Sequence, residues 1–463
     1  MTDFAWDSAG TIADAVNRGA ASVIEVIDQA LQRIDRRNPV LNAFTAVTAD
    51  RARARAAKKP VGPLAGVPFA VKNLIDVAGL PTLAGSKINR ERPPASADAT
   101  VVSRLEAAGA ILVGALNMGE FAYDFTGENV HCGPSRNPHD TTRMTGGSSG
   151  GSGAAVAGGL VPIALGSDTN GSIRVPSSFC GIFGLKPTFG RLSRAGSFPF
   201  VASLDHLGAF ARNTIDLALA YDAMTGPDPL DPACTDRVDP PSSPTLHTGI
   251  GGLRIAVAGS YFRTGAGPEA LTALDSVARA LDATRQIEIP EAARAREAAY
   301  IITTSEAGAL HLQRLRTRAG DFDPDVRDRL IAGAMVPAAW VVQAQKFRRW
   351  YRDSVLRLFE ETDAIIAPAT PCVAPPIGQK TFVLDGQQVL LRPNIGIYTQ
   401  PISFIGLPVV AVPVPQAGGM PTGVQIITAP WREDVALRIA HELEARSVAR
   451  APQPSESQFT AIV

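Results

Sequence analysis

Apolar side chains recur at three- and four-residue intervals in TIADAVNRGAASVIEVIDQALQRIDRRN, where Val23, Val26, Ile27, Ala30, Leu31 and Ile34 form one stripe. That spacing gathers them on one face and predicts helix. AFTAV follows, and then RARARAAKK, Arg51 to Lys59, whose charges predict the solvated end of a helix rather than a binding patch. From PLAGVPFAVKNLIDVAG onward the pattern changes to short apolar runs bounded by proline and glycine, the mark of buried strands. VVSRLEAAGAILVGAL reads as a helix leading into the strand AILVGA, and GGSGAAVAGGLVPIALGSD repeats that order. LRIAVAG, DAIIAPA and GLPVVAVPVP add core strands, so the alternation predicts an α/β protein.

Texture divides the chain without breaking it into separate units. A helical segment over 1–59 precedes a core over 60–227. Residues 228–344, with the loop DPLDPACTDRVDPPSSPT and an Ala/Arg-rich stretch after Gly265, read as a peripheral helical insertion, and 345–463 as the C-terminal part of the same core. No 20–50-residue period appears, which excludes a repeat array. The polar tail APQPSESQF is expected to be loosely held.

Composition narrows the function classes. The 463 residues are 45% hydrophobic and 19% charged, which suits a large core and excludes disorder. Basic and acidic residues number 44 each, so no net charge draws the chain to nucleic acid or to an anionic membrane. No apolar run approaches the ~18 residues that span a bilayer, and the start MTDFAWDSAG carries acids where an export signal needs bases. Cys132, Cys180, Cys234 and Cys372 are widely spread, with no C-x-x-C pair to signal a zinc site or a disulfide framework. A soluble, unexported protein of the cytoplasm is expected.

The candidate chemistry lies in RMTGGSSGGSGAAVAGG, which has five glycines and three serines between Gly146 and Gly153. A flexible linker would separate self-contained units, whereas here the helix–strand alternation runs straight through. A phosphate cradle needs a lysine directly after the glycines, and none follows. Gly146-Gly147-Ser148-Ser149-Gly150 is a literal G-x-S-x-G, but a nucleophile elbow requires a buried strand before its serine, and SRNPHDTTRM is polar. His206, His247, His311 and His441 remain as possible bases, none in a neighbourhood that marks it. Lys72, within LAGVPFAVKNLIDVAG, has mostly apolar flanks. Burial there would lower its pKa and make it a base, unless its head snorkels to water.

A second serine-bearing loop follows the apolar run GLVPIALG: Ser167-Asp168-Thr169-Asn170-Gly171-Ser172. A tight Asn-Gly turn at a strand end can aim successive backbone N–H groups at one point, an oxyanion nest, with Ser172 placed to attack a carbonyl bound there. A plain surface turn is the alternative.

Together PFAVKNLID, GGSSGGSGAAVAGG and GSDTNGSIRVPSSFCGIFGLKPT resemble the amidase signature family, and LNAF, NMGEFA, IIAPATP and GLPVVAVP extend the resemblance over nearly the whole chain. The resemblance implies a single domain with a central mixed β-sheet flanked by helices on both faces. It also implies a Ser-cisSer-Lys triad: Ser172 as nucleophile, Ser148 as bridging serine after a cis peptide, and Lys72 as base. Ser148 and Ser172 stand 24 residues apart, the separation that family uses. The N–H groups of Thr169, Asn170, Gly171 and Ser172 would form the oxyanion hole, Ser149 would support the loop, and Asp168 and Arg174 would brace it as a charge pair. No metal or organic cofactor is called for.

Within that family the stretches KNLIDVAGLPTLAGSKINRERPPASADA and PTFGRLSRAGSFPFVASLDHLGAFA are most similar to the branch that hydrolyses carboxybiuret, which also shares Asn170 where most members have glycine. This implies a biuret-type substrate, release of ammonia, an oligomer and a small helical accessory subunit. The alternatives are a general small-amide amidase and the glutamine-hydrolysing component of a tRNA-dependent amidotransferase. Tyr123, Gln400 and Arg316 are the expected substrate contacts. Asp124, where glycine is expected, would place an acid able to oppose an anionic substrate.

Overall fold

Strands buried on both faces carry the architecture. The computed structural model describes residues 4–459. An 11-stranded mixed sheet runs in the order Phe44–Val47, Ile111–Leu116, Pro68–Lys72, Ile163–Asp168, His206–Ala211, Phe183–Lys186, Val409–Val414, Thr422–Thr428, Ala364–Pro368, Ile255–Ala258 and Arg285–Ile287. Period-2 alternation divides its side chains between two cores. Phe69, Val71, Leu112, Ile163 and Leu165 join one, whereas Ala70, Ile111, Val113 and Ala164 join the other. Helix Thr214–Met224 packs into the first core, and helices Val23–Leu41, Ala49–Ala56 and Gly150–Ala157 into the second. Burying each Val, Leu or Ile is worth roughly 1.5–3 kcal/mol, and a one-residue slip of a strand would exchange its two faces, so this pattern fixes the register. The sheet with helices on both faces is the expected fold.

Three differences from the sequence reading have local causes. The N-terminal helical stretch is two helices, Ala9–Asn17 and Val23–Leu41, because Gly19 takes φ +69° and turns the chain between them. The 228–344 segment is helical for most of its length, but it also gives the strands Ile255–Ala258 and Arg285–Ile287 to the sheet. Their apolar residues Ala256, Val257 and Ile287 are buried there, so the segment is continuous with the core. The tail is held as far as Phe459: Arg37 pairs with Glu456 at 2.6 Å and its guanidinium lies 4.4 Å from the Phe459 ring.

The sheet also sets the place of the site. Pro68–Lys72 and Ile163–Asp168 are adjacent and parallel, with Val71 opposite Leu165, so their carboxyl ends open on one edge. Ligands of open α/β sheets bind outside such ends. Lys72 and Asp168 are the last residues of these strands.

Candidate active site

The glycine-serine stretch forms a turn and then a helix. Gly147-Ser148 is a cis peptide, with the Gly147 N–H donating to Phe125 O at 2.9 Å and Ser148 O accepting from Gly119 N at 3.1 Å. Helix Gly150–Ala157 begins next and is wholly buried against the sheet. Its small residues are required by close approach: a Cβ on Gly151 would stand 2.6 Å from the backbone N and O of Asn117. The run is therefore packed rather than slack.

Lys72 meets this turn from the sheet. Its Nζ donates to Ser148 Oγ at 2.7 Å, Ser149 Oγ at 2.9 Å and Ser167 Oγ at 2.9 Å. Lys72 and Ser148 are completely buried, so the amine does not snorkel. Burial lowers its pKa to about 7, while the carboxylates of Asp168, Asp205 and Asp124 oppose the shift. An amine that loses its proton near pH 7 in contact with a serine hydroxyl has the chemistry a general base needs. Ser149 ties the two loops together, donating to Ser167 O at 3.2 Å. The six histidines all bond elsewhere, which leaves the elbow reading without its base.

The second loop turns above the end of Ile163–Asp168. Gly171 takes φ +141°, and a Cβ there would strike the Thr399 side chain, so the Asn-Gly turn admits no other residue at that position. Thr399 Oγ1 donates to Asn170 O at 2.7 Å, and Thr169 Oγ1 to Asp205 Oδ1 at 2.6 Å. Among the described residues the N–H groups of Asn170, Gly171 and Ser172 have no acceptor. Thr169, Asn170 and Ser172 line a cavity of about 750 Å3. Free N–H groups beside a hydroxyl in a cavity are what an oxyanion site requires.

Asp168 and Arg174 fasten this loop from below. Arg174 Nε and Nη2 each donate to the Asp168 carboxylate at 3.0 Å, and the Ile173 N–H donates to Asp168 Oδ2 at 3.1 Å. Arg174 also donates to Thr399 O, Gln425 Oε1 and Ser403 Oγ. Burial alone would raise the Asp168 pKa, but the Arg174 guanidinium holds it well below the usual carboxylate range. Removing one partner of a fully buried pair leaves the other charge uncompensated. Asp168→Asn is therefore expected to cost about 3–5 kcal/mol of stability, read as a lower urea midpoint, whereas an unchanged midpoint would deny the pair its bracing part.

The cavity sorts the expected substrate contacts. Tyr123 and Gln400 line it. Arg316 does not: it is exposed on helix Ala292–Arg318, whose Arg296, Tyr300 and Thr303 face the cavity. Thirteen residues beyond Thr303 carry Arg316 about 20 Å along the axis and round to the far side. Asp124 lines the cavity as well, but it is not a free acid: its carboxylate accepts from Thr126 N at 2.9 Å and Gly127 N at 2.6 Å and pairs with Arg392 at 2.8 Å. With its charge balanced by Arg392, it shapes the loop before Gly147 while lining the cavity.

Sequence reasoning missed the cations of the cavity wall, Arg296, Arg329, Lys380 and Arg392. Arg392 and Lys380 are paired with acids, Asp325 being common to both. Arg296 donates to Gln400 Oε1, Pro393 O and Asn394 Oδ1, and Arg329 to Asp325 O and Tyr123 O while lying 3.8 Å from the Tyr123 ring. Among the described residues neither has a carboxylate partner. Lys380 precedes and Leu390 ends a hairpin, Thr381–Leu384 with Gln387–Leu390, whose Asp385-Gly386 turn has φ +50° and +73°. An Asp-Gly pair between two strand-forming runs is a hairpin signal readable from sequence. The arginines carry no such signal, since a helix or loop arginine reads as surface until its neighbours are known.

Comparison with known proteins gives the family to which this site belongs. The chain is 54% identical over 449 residues to AtzE, the 1-carboxybiuret hydrolase component of Pseudomonas sp. (strain ADP) that is named as a subunit, covering 95% of this chain and 98% of that one. It is 38% identical to a glutamyl-tRNA(Gln) amidotransferase subunit of Roseiflexus sp. (strain RS-1), over 92% of this chain and 93% of that one. A solved structure of a vestigial protein complex bearing on the origins of an s-triazine catabolic enzyme superposes with TM-score 0.94 at 54% identity, covering 96% of this chain and all of that chain. A 6-aminohexanoate cyclic dimer hydrolase complexed with substrate superposes with TM-score 0.89 at 28% identity, over 98% of this chain and 100% of that one. The family model described as Amidase matches residues 25–437. The chain belongs to the amidase family and is a hydrolase of amide C–N bonds.

Proposed function

We propose that this amidohydrolase cleaves a small, anionic, biuret-type amide of the 1-carboxybiuret class and releases ammonia through an acyl-enzyme on Ser172. The observation that carries the chemistry is the fully buried contact of Lys72 Nζ with Ser148 Oγ, beside a loop with unpaired N–H groups whose Thr169, Asn170 and Ser172 line the cavity. In the first half-reaction neutral Lys72 accepts the Ser148 proton as Ser148 accepts that of Ser172, whose oxygen bonds to the amide carbon. The N–H groups of Thr169, Asn170, Gly171 and Ser172 receive the negative charge on the carbonyl oxygen. The relay then runs backward: Lys72 protonates Ser148, Ser148 protonates the leaving nitrogen, and the C–N bond breaks. Water enters by the same route and frees the acid, restoring Ser172.

Similarity to AtzE supports the biuret class, and the two arginines without carboxylate partners support an anion within it. Arg296→Gln is expected to raise KM for a carboxylated biuret about tenfold while leaving that for neutral biuret within a factor of three, since a charged hydrogen bond is worth roughly 1.5–3 kcal/mol. Equal changes for both compounds would deny Arg296 the anion. The naming of AtzE as one component of its enzyme, and the solved complex, support work in an assembly, whose partner we take to be the small helical accessory subunit that the family resemblance implies. The decisive assay measures ammonia from carboxybiuret, biuret and glutamine side by side, with and without that partner co-expressed. Preference for the biuret compounds is expected; preference for glutamine would move the chain to the amidotransferase reading, which the 38% relative favours.

A further inference from the structure

One residue of the cavity wall carries a polar atom that has no part in the chemistry above. Asn170 stands in the oxyanion loop, lines the cavity and is 7% exposed. Its backbone O is used by Thr399 Oγ1, and its side-chain Nδ2 donates to Thr303 Oγ1 at 3.0 Å from helix Ala292–Arg318. The other end of the amide, Oδ1, is buried and among the described residues accepts no hydrogen bond. A buried carbonyl left unpaired is costly, and such atoms are rare enough that each calls for a reason.

We propose that Asn170 Oδ1 accepts a hydrogen bond from the N–H that joins the two carbonyls of a biuret-type substrate, and that this contact selects ureido compounds over simple amides. The placing is apt. A scissile carbonyl held by the proposed nest would lie against Asn170, which lines the same cavity as Ser172. Thr303 engages the amide through Nδ2, which leaves the acceptor rather than the donor without a protein partner. An acceptor selects N–H over CH2, and a site built to satisfy a hydrogen bond rejects the analogue that lacks it far more strongly than it rejects a change in size. This inference rests on the proposed biuret-type reading and specifies how that substrate is told from other amides.

The test uses two nearly isosteric probes, biuret and malonamide, which differ in the central N–H against CH2. For the full-length enzyme with any required partner, the ratio of kcat/KM for biuret to that for malonamide is measured in wild type, Asn170→Ala and Thr303→Val. The ratio is expected to fall about 10- to 100-fold in Asn170→Ala. In Thr303→Val, where the acceptor remains but is no longer aimed, it should fall by a smaller factor. A structural part for Asn170 in the loop would lower both substrates together, and an unchanged ratio overturns the inference while leaving the biuret-type reading intact. A wild type that hydrolyses neither probe but does hydrolyse glutamine overturns the reading and the inference with it.

Discussion

Ser172→Ala is expected to lower ammonia release by about 10⁴-fold or more, because removal of an activated nucleophile leaves only binding and oxyanion stabilisation. The measurement is initial-rate ammonia release at saturating biuret, with the urea midpoint recorded alongside. Ser172 is nearly buried but faces the cavity, so loss of its hydroxyl opens no void in either core, and the midpoint is expected to stay within the range of ordinary surface substitutions. Ser148→Ala tests the division of labour between the serines. If Ser148 were the nucleophile of an elbow, the Ser172 variant would keep most of its activity and the Ser148 variant alone would be dead.

Lys72→Met carries the second large effect, a loss of about 10²–10⁴-fold, the usual worth of a positioned general base. Methionine keeps the length of the side chain and removes its proton chemistry. Burial lowers the wild-type amine from 10.5 to about 7, so kcat/KM should rise tenfold per pH unit below about pH 7 and level off above it. The variant should lack that limb. Stability gives an independent reading of the same group. Between about pH 7 and 10.5 the unfolded lysine holds a proton that the folded one has released, so the unfolded state binds more protons and stability increases with pH. Below about pH 7 both states are charged and the cost of the buried ammonium is complete. The Lys72→Met variant should therefore compare best with wild type at pH 6 and least well at pH 10; an equal comparison at the two pH values would mean that the lysine stays charged in the folded protein throughout.

Strand positions were legible because their residues are apolar on both faces: Ile111–Leu116, Ala364–Pro368 and Val409–Val414 lie where AILVGA, DAIIAPA and GLPVVAVPVP predict them. The two loops were legible for a different reason, since a glycine-serine turn and an Asn-Gly turn are local structures with local signatures. Lys72 could be nominated from its apolar flanks, but not its contacts, which depend on a strand pairing. The specificity wall was nearly illegible. Arg296 and Thr303 sit in a helix whose sequence, ARAREAAYIITTSEA, gives no stripe pointing to a cavity, and Arg329 comes from another helix, Pro324–Ala334. Arg316 illustrates the same limit from the other side: an arginine on the right helix but the wrong turn of it. Asp124 reads as a free acid until Arg392, 268 residues away, is placed against it.

The central claim is that Ser172 is the residue that takes the acyl group, activated through Ser148 by a lysine that is neutral near pH 7. Its most direct test is the site and pH dependence of labelling by a fluorophosphonate, which reacts with an activated serine hydroxyl, read by peptide mass mapping. The label should sit on Ser172, at a rate that falls tenfold per pH unit below about pH 7 and that nearly vanishes in Lys72→Met. Label on Ser148, or labelling of Ser172 that persists unchanged in Lys72→Met, would contradict it.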